Sequence, residues 1–329
     1  MLSPLIPRSS HPQPVVAVIG ESKGGSEVTD FIVPYSILKR SGYFTVVSVG
    51  TTSTTLKMVQ GCFSIETDHT ITSFKESFPD GADILIVPNQ INQKDAILKA
   101  FIVDQAEKGA KVVGVCDGVW SLVNAGLIAG KQCTTHWFTR GGLEKVGGLV
   151  VKDRRYVDDG NIITTTGVTA SIPVSLAIVE AVAGRDAAKR VAGELGAVEW
   201  GSEYDSSPFT LGKLVPKIIQ TSMNWKKDIL GIEFSTGIDE LELAVVSDIY
   251  NRTGGSKVIT YGKSAVIVSK NGLKLIPQEQ ALPSGSKKIE FVGANSIQVL
   301  DNALLDVANR YGKASAARAA TEMEYPGMV

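Results

Sequence analysis

Short apolar runs alternate with amphipathic stretches over the first half of the chain. The apolar runs, at 14–20, 44–50, 82–88 and 111–116, predict buried parallel strands, because strands covered on both faces show little polar alternation. The amphipathic stretches at 26–42 and 93–109 predict helices, as does 171–196, and 154–166 predicts two strands around an Asp-Gly turn. This order indicates a mostly parallel α/β sheet with helices on both faces.

Small polar residues and glycines mark the expected helix ends. Ser26 is a candidate cap for the first helix, and Gly42 follows its last residue. Ser171 is expected to cap the helix that begins there, with Pro173 in its first turn. Gly126 is expected to end the helix that follows Cys116.

The chain also repeats itself. Residues 30–50 align without gaps on 242–262, so that Arg40 falls on Arg252, and residues 164–184 align with one small gap on 290–312. The second copy keeps the outer strands and helices and lacks the middle segment. The alternative is that any two strand–helix units look alike.

These patterns predict a division of the chain into four parts. They are a flexible leader (1–14), a complete α/β domain (15–196), a linker (197–227) and a smaller, truncated and degenerate α/β repeat (228–329).

Composition and charge exclude several classes of function. The chain has 329 residues, 43% of them hydrophobic, and its net charge of −1 comes from 33 basic and 34 acidic residues without a basic cluster. Nucleic acid is therefore not an expected partner. No apolar run reaches the about 18 residues that cross a bilayer, so we expect no membrane partner and a cytoplasmic location. Three cysteines without C-x-x-C spacing argue against disulfides and a zinc site.

The candidate chemistry centres on Cys116, in "VVGVCDGVWSLVNAGLIAG" (112–130). Gly114 and Gly118 flank it as G-x-C-x-G, the spacing of a nucleophile elbow with Cys in place of Ser. At such a strand-to-helix turn the helix N-terminus is expected to lower the pKa of the thiol. The backbone N–H of Asp117 is expected to face a developing oxyanion. The alternative is a buried, inert cysteine.

The elbow segment (114–137) and the segment 164–184 together resemble the DJ-1/PfpI superfamily, which has the class I glutamine-amidotransferase-like fold. The resemblance covers about residues 15–195 and is closest to the branch of isocyanide hydratases and of the amidotransferase-like domains in AraC-type regulators. It implies a flavodoxin-like three-layer sandwich.

The resemblance also implies site residues. The family has an acidic residue that touches the cysteine four positions before a proline, which here is Asp30 before Pro34. A protonated Asp30 would hydrogen-bond and stabilise the thiolate; the alternative is a solvated helix residue. His136 corresponds to a family histidine that serves as general base or orients substrate, the alternative being a capping or core histidine. Trp120 and Trp137 are expected to line the pocket, or else simply to pack.

Two positions depart from the family pattern. Where the family has Pro-Gly-Gly, this chain has Pro88, Asn89 and Gln90, so the oxyanion hole would use the backbone N–H of Gln90 in a narrower, more polar pocket. Asp117 directly follows the cysteine, and its charge should raise the thiol pKa and disfavour anionic substrates unless it turns away or is protonated. Without a His-x-Glu sequence, glutaminase activity is not expected.

These features predict a cysteine-dependent enzyme acting on small molecules. Cys116 would be the nucleophile of a hydratase or hydrolase, or of a glyoxalase-like lyase, assisted by Asp30, His136 or Asp117, and no metal or organic cofactor is implied. The alternatives are a redox or stress sensor that uses Cys116 oxidation, and a ligand-binding regulatory module. We expect either a homo-oligomer or a monomer in which the second repeat acts as a pseudo-dimer partner.

Overall fold

A computed structural model of the protein describes residues 2–5, 11–222 and 227–328. The helices are α1 (Val28–Ser41), α2 (Ile71–Ser77), α3 (Ala96–Glu107), α4 (Val119–Asn124), α5 (Ser171–Ala183), α6 (Arg185–Leu195), α7 (Leu211–Ser222), α8 (Glu240–Asn251), α9 (Ser296–Tyr311) and α10 (Lys313–Glu322). Within the described ranges, none of these helices has both the length and the apolar character needed to cross a membrane.

The strands are mostly short. They are β1 (Val15–Gly20), β2 (Ser26–Glu27), β3 (Thr45–Gly50), β4 (Thr55–Val59), β5 (Phe63–Glu66), β6 (His69–Thr70), β7 (Ile84–Val87), β8 (Lys111–Gly114), β9 (Gln132–Cys133), β10 (Leu149–Val150), β11 (Tyr156–Asp159), β12 (Ile162–Thr165), β13 (Asp228–Glu233), β14 (Ser256–Tyr261), β15 (Ile267–Val268), β16 (Lys274–Ile276) and β17 (Lys287–Lys288).

A seven-stranded sheet in the order β11-β12-β8-β7-β1-β3-β6 forms the centre of the larger half. All its neighbouring strands are parallel except β11 and β12. Side chains of β1 alternate between two cores: Val16 and Val18 pack with α1, α5 and α6, whereas Ala17 and Ile19 pack with α2, α3 and α4. The fold is thus the mixed, mostly parallel three-layer sandwich that the sequence predicts.

The predicted elements of this sheet are confirmed with small shifts at their ends. Residues 171–196 form two helices, α5 and α6. The expected cap at Ser171 is wrong: Ala170 precedes the helix, and the Ser171 hydroxyl donates to the carbonyl of Val168 at 2.6 Å. A tight turn at Val168–Ala170 leads into α5, so Ser171 already lies inside the helical path. Likewise Glu27, not Ser26, caps α1.

The C-terminal half contains a second, three-stranded parallel sheet in the order β14-β13-β17, with α8, α9 and α10 packed around it. A five-stranded sheet in the order β15-β16-β5-β4-β2 joins the two halves. These strands were not predicted from the sequence. β4 with β5 and β15 with β16 form local hairpins, but the sheet depends on the pairing of β5 with β16 from a distant part of the chain. A single cluster of buried apolar residues continues from α1 and α5 into α8 and α9.

The predicted linker and leader make more contacts than the sequence suggests. Residues 211–222 of the linker form α7, which packs on α10, and Lys217 Nζ donates to Thr321 Oγ1 at 2.9 Å. Residues 223–226 of the linker, and 1 and 6–10 of the leader, lie outside the described residues. Leu2 is buried, and the Leu5 N–H donates to the carbonyl of Ala181. The described leader residues therefore contact the fold, while the domain boundaries stay a prediction.

Because one apolar cluster joins the halves, we expect the chain to unfold as a unit. Leu243 of α8 is fully buried in that cluster, so Leu243→Ala should lower the free energy of unfolding by about 2–5 kcal/mol. Amide hydrogen exchange should show the same loss of protection in β1 and in β13. A loss confined to β13 would contradict a shared core.

Candidate functional site

Cys116 lies just beyond the carboxyl end of β8, in the turn that leads into α4. Its φ of 56° is in the left-handed region, which non-glycine residues seldom adopt. The Cys116 N–H donates to Thr165 Oγ1 at 3.1 Å, and a 3₁₀ turn spans Cys116–Gly118. A strained backbone held by its neighbours at the end of a parallel strand has the geometry of a nucleophile elbow.

The two glycines of G-x-C-x-G permit this turn. A Cβ on Gly118 would lie 2.1 Å from the carbonyl oxygen of Val87, so no larger residue fits unless β7 moves. A Cβ on Gly114 would lie 3.1 Å from atoms of Val119 and Leu122, which is a tight contact. The spacing therefore reflects close packing between the turn, β7 and α4.

Asp30 is completely buried in the first turn of α1. Its Oδ2 accepts the Asn89 N–H at 3.3 Å, whereas its Oδ1 has no hydrogen-bond partner among the described residues. The hydrogen bond to the Cys116 sulfur that the sequence predicts is therefore not made by Oδ1. Burial raises the pKa of Asp30 well above its usual range, although the Asn89 N–H acts in the opposite direction. Asp30 is thus a buried acid, and one of its two carboxyl oxygens makes no hydrogen bond within the part of the chain that the structure describes.

The thiol of Cys116 is also held in its protonated form. Burial is the main cause of its raised pKa, followed by the charges of Asp30, Asp117 and Glu27; the N–H of Asp117 lowers the pKa. The expectation that the helix N-terminus lowers the pKa is therefore wrong in its net direction. The turn and α4 are short, and one backbone N–H is outweighed by desolvation and three carboxyl groups.

The C-terminal half contributes charged groups to this region. Arg252 of α8 lies 2.5 Å from Asp248 Oδ1 and 3.2 Å from Glu27 Oε1. Asp248 Oδ2 also accepts the hydroxyl of Thr29 at 3.1 Å. Burial opposes the charge of Arg252, but Asp248 and Glu27 outweigh it and raise the pKa of Arg252. We call Glu27, Asp30, Asp248 and Arg252 the carboxyl cluster.

Sequence reasoning missed Glu27, Asp248 and Arg252 as members of the site. The repeat alignment placed Arg252 opposite Arg40, and that match was the one available signal. Burial raises the pKa of Glu27 well above its usual range, as do the charges of Asp248 and Asp30, while Arg252 lowers it. The cluster therefore holds more acid than one guanidinium neutralises.

Asp117 turns its side chain towards the segment that carries His136. Its Oδ1 accepts the hydroxyls of Thr135, at 3.2 Å, and Thr139. The Thr135 hydroxyl also lies 2.8 Å from the carbonyl oxygen of Cys116. The Asp117 carboxylate is thus tethered beside the elbow, and its N–H is the group that faces the sulfur.

Gln90 joins three backbone segments through its side chain. Its Oε1 accepts the Glu21 N–H at 2.9 Å and the Ser26 hydroxyl at 2.6 Å, and its Nε2 donates to the carbonyl of Ile19. Asn89, for its part, touches the site through its backbone N–H on Asp30. Asn89 is therefore brought to the site, while an oxyanion role for the Gln90 N–H stays a prediction.

His136 and Trp137 are engaged with the C-terminal helix. His136 Nε2 lies 3.0 Å from the carbonyl oxygen of Glu322, and His136 Nδ1 accepts the Phe138 N–H at 3.3 Å. The Trp137 indole donates to the carbonyl of Thr321 at 3.0 Å. Both ring nitrogens of His136 have partners, which is the arrangement of a capping histidine. Its catalytic role, and that of Trp137 as a pocket wall, stay predictions.

Trp120 packs in the core on the opposite face of the sheet, partly buried. A Cβ on Gly142 would lie 2.9 Å from the Trp120 ring, so Trp120 also packs against the loop after His136.

Among the described residues, no group of three or more His, Cys, Asp or Glu side chains is arranged to hold a metal ion. Cys116 itself is only 4% exposed, so access to the sulfur is narrow.

Three comparisons relate this geometry to known proteins. The model of the DJ-1/PfpI family matches residues 16–181, which are half of the chain. Isonitrile hydratase of Pseudomonas putida is 37% identical over 113 residues, which are 33% of this chain and 49% of the hydratase. The match thus spans about half the length of that relative.

Two further proteins are similar over different lengths. The HTH-type transcriptional regulator GbdR of Pseudomonas aeruginosa is 31% identical over 87 residues, which are 26% of this chain and 24% of the regulator. The crystal structure of Drosophila melanogaster DJ-1beta superposes with a TM-score of 0.51 at 22% identity and covers 56% of this chain and 99% of that one. The latter likeness shows the shared fold.

The buried acid makes stability depend on pH. The pKa of Asp30 in the folded chain is raised above its ordinary 3.8, so the folded state keeps a proton that the unfolded state releases. The free energy of unfolding should be highest below pH 3.8 with respect to this group and fall as the pH rises towards the folded pKa. In Asp30→Asn this decline should be weaker, as measured by urea unfolding between pH 4 and 8.

The control is Asp186→Asn, because the Asp186 side chain is fully exposed. This variant should keep the pH dependence of the unmodified chain. If Asp30→Asn did so too, Asp30 would ionise normally in the folded protein.

We expect the Cys116 thiol to lose its proton only at a high pH. Alkylation of Cys116 by iodoacetamide, followed by peptide mass spectrometry, should be slow at pH 7 and reach half of its maximal rate above pH 9.0. Asp30→Asn should move this midpoint down, since it removes a carboxyl charge near the sulfur. A midpoint below about pH 8 in the unmodified protein would contradict a thiol resting state.

Proposed function

The chain belongs to the DJ-1/PfpI family, and from that premise we propose that it is an enzyme in which Cys116 catalyses the hydration of a small, uncharged, isonitrile-type carbon electrophile. One observation carries the proposal. The Cys116 thiol sits on a strained elbow close to Asp30, a buried acid whose Oδ1 has no hydrogen-bond partner among the residues that the structure describes. In this proposal Cys116 is the nucleophile and Asp30 the proton donor.

The reaction of an isonitrile, R–N≡C, fits this pair. The terminal carbon accepts a proton from Asp30 while the Cys116 sulfur forms a bond to the same carbon. The thiol proton returns to Asp30, which leaves a thioimidate, R–N=CH–S–Cys. Water then adds to this carbon, the C–S bond breaks, and the products are the N-substituted formamide R–NH–CHO and the free thiol. Every atom of the added water is in the product.

The protonation states support an uncharged substrate. A protonated Asp30 can donate its proton, and a neutral thiol does so as it attacks. An anion would enter a buried place where carboxyl groups already outnumber the one guanidinium of the carboxyl cluster, which is unfavourable. An exposure of 4% at Cys116 further favours a small or linear molecule. The P. putida relative, whose name is isonitrile hydratase, supports this substrate class.

The backbone N–H of Asp117 is placed to stabilise negative charge during the reaction. It faces the sulfur from the first turn of the helix, so it also lies close to a carbon bonded to that sulfur. We assign it the stabilisation of the negative charge that develops on the oxygen atom after water adds to the thioimidate carbon and before the C–S bond breaks, as for a backbone oxyanion hole.

The redox-sensor hypothesis is less well supported. Rapid oxidation of a cysteine by peroxide needs an exposed thiolate. Cys116 is buried, and burial raises its pKa. The hypothesis of a ligand-binding regulatory module uses the same residues without turnover, so the turnover experiment separates it from the enzyme.

The full chain should convert a small aliphatic isonitrile to its formamide, followed by NMR. Cys116→Ala should lose at least about 100-fold in rate, because it removes the nucleophile, and Asp30→Asn about 100-fold, because it removes the proton donor. Cys62→Ala is the matched control, since Cys62 is a half-buried free cysteine that contacts Asn251 instead of the elbow. It should keep activity within about twofold.

Methylglyoxal is tested in parallel. Cys116-dependent turnover of methylglyoxal without turnover of isonitriles would favour a glyoxalase-like lyase over the proposed hydratase. If Cys116→Ala were as active as the unmodified protein, the enzyme proposal would fail altogether.

A further inference from the structure

Two largely buried ion pairs join α1 to α8, and in each of them an arginine at the end of one helix contacts the acidic cap at the start of the other. Arg40 Nη2 lies 2.7 Å from Asp239 Oδ2, and Arg252 Nη2 lies 3.2 Å from Glu27 Oε1. When α1 is aligned on α8 without gaps, Arg40 falls on Arg252 and Glu27 on Asp239. Each ion pair is thus the equivalent of the other, which is the contact pattern across a two-fold axis.

The same residues begin the two helices. Glu27 Oε2 caps α1 by accepting the Asp30 N–H at 2.7 Å. Asp239 Oδ1 caps α8 by accepting the Glu242 N–H at 3.5 Å, and Glu242 aligns with Asp30. Both acidic residues therefore combine a helix cap with an ion pair to the other helix.

The sheet that joins the halves has the same symmetry. The hairpin of β4 and β5 follows β3, and the hairpin of β15 and β16 follows β14. Their inner strands, β5 and β16, pair antiparallel with Ile65 opposite Leu275. In the order β15-β16-β5-β4, the second strands of the two hairpins, β16 and β5, are neighbours at the centre. The first strands, β15 and β4, lie outside them. Antiparallel pairing of equivalent strands is what a two-fold axis produces.

The remaining elements correspond as well. β17, β13 and β14 are arranged as β7, β1 and β3 are, with parallel pairing on both sides of the middle strand. Gly184 joins α5 to α6 at φ 87° and ψ 168°, and Gly312 joins α9 to α10 at φ 88° and ψ 159°. Within residues 227–328, as the structure describes them, no element corresponds to β8 and the elbow.

We infer that residues 228–323 are a degenerate second copy of the N-terminal unit that serves as a built-in dimer partner, and that Arg252 of this copy is a positioning residue for the Cys116 site. The inference deepens the proposed function, because it assigns Arg252 to the same site. The symmetry is broken in one respect that matters: all three cysteines lie in the first copy, the one whose cap is Glu27. The charge of Glu27 acts on Cys116, so the Arg252–Glu27 pair adjoins the candidate chemistry.

Arg252 acts through Glu27. The guanidinium fixes the Glu27 carboxylate from the far side, and Glu27 in turn holds the N–H of Asp30. The charged groups that face this point are Glu27 and Asp30 at the start of α1, Asp248 and Arg252 on α8, Glu322 on α10 and Asp117 after β8. Arg252 is the single cation in this set.

Arg40 offers a matched control for Arg252. Both guanidiniums are buried between α1 and α8 and bound to a helix cap. Arg40, however, lies ten residues after Asp30 on α1, which is about 15 Å along the helix axis. Loss of either should weaken the interface, while only loss of Arg252 should change the charge beside Cys116.

The test compares Arg252→Met, Arg252→Lys and Arg40→Met in the full chain. The readout is the pH midpoint of Cys116 alkylation, measured by peptide mass spectrometry. Removal of a cation makes every proton loss in its neighbourhood harder, so Arg252→Met should raise the midpoint by about half a pH unit or more. Arg252→Lys should restore most of this shift, and Arg40→Met should lower the melting temperature without moving the midpoint.

Two results would overturn the inference. One is an unchanged midpoint in both Arg252 variants, and the other is an equal shift in Arg40→Met. If Arg252→Met does not fold, Arg252→Gln takes its place, because it also removes the charge but keeps a polar side chain beside Glu27, and its midpoint must rise as well. The alkylation readout needs no turnover, so absence of isonitrile hydration would refute the proposed function and leave this result standing.

Discussion

The structure depends on one electrostatic constraint: buried carboxyl groups from both halves of the chain meet at the start of α1, near the Cys116 thiol, and among the described residues a single guanidinium, that of Arg252, contacts them. Asp30 and Asp248 are fully buried and Glu27 nearly so, and Arg252 contacts two of the three. Ionising all of them in so dry a place would be unfavourable, and the raised pKa values of Glu27 and Asp30 express this. The arrangement persists only while α1 and α8 stay packed, so the halves are coupled through their charges as well as their apolar core.

The chemistry follows from the same constraint. A cysteine at an elbow is usually discussed as a thiolate, but here desolvation and neighbouring carboxyls keep the proton on the sulfur. An acid and a thiol that are both neutral form a pair suited to an electrophile that takes up a proton as it is attacked. A site for anionic substrates or for rapid oxidation would instead need a thiolate or positively charged surroundings.

The C-terminal end closes the other side of the elbow. Glu324 is fully buried, and its carboxylate accepts the N–H of Gly167. The Thr321 carbonyl accepts a hydrogen bond from the Trp137 indole, and the Glu322 carbonyl lies at hydrogen-bond distance from the His136 ring. His136 and Trp137, which the sequence analysis proposed as a general base or substrate-orienting residue and as a pocket wall, thus hold residues 321–324 against the segment after the elbow. The second half therefore contacts the first through α10 as well as through α8.

The sequence by itself determined the central strands, the helices of the larger half and the elbow at Cys116, because these follow from local patterns: apolar runs, amphipathic periods and the two glycines that the turn requires. It also singled out Asp30 and predicted that α1 is repeated in α8. Only the tertiary structure decided the direction of the Cys116 pKa, the partners of His136 and Trp137, and the place of Arg252. Those properties depend on burial and on charges brought from distant parts of the chain, and neither desolvation nor long-range pairing is encoded in local spacing.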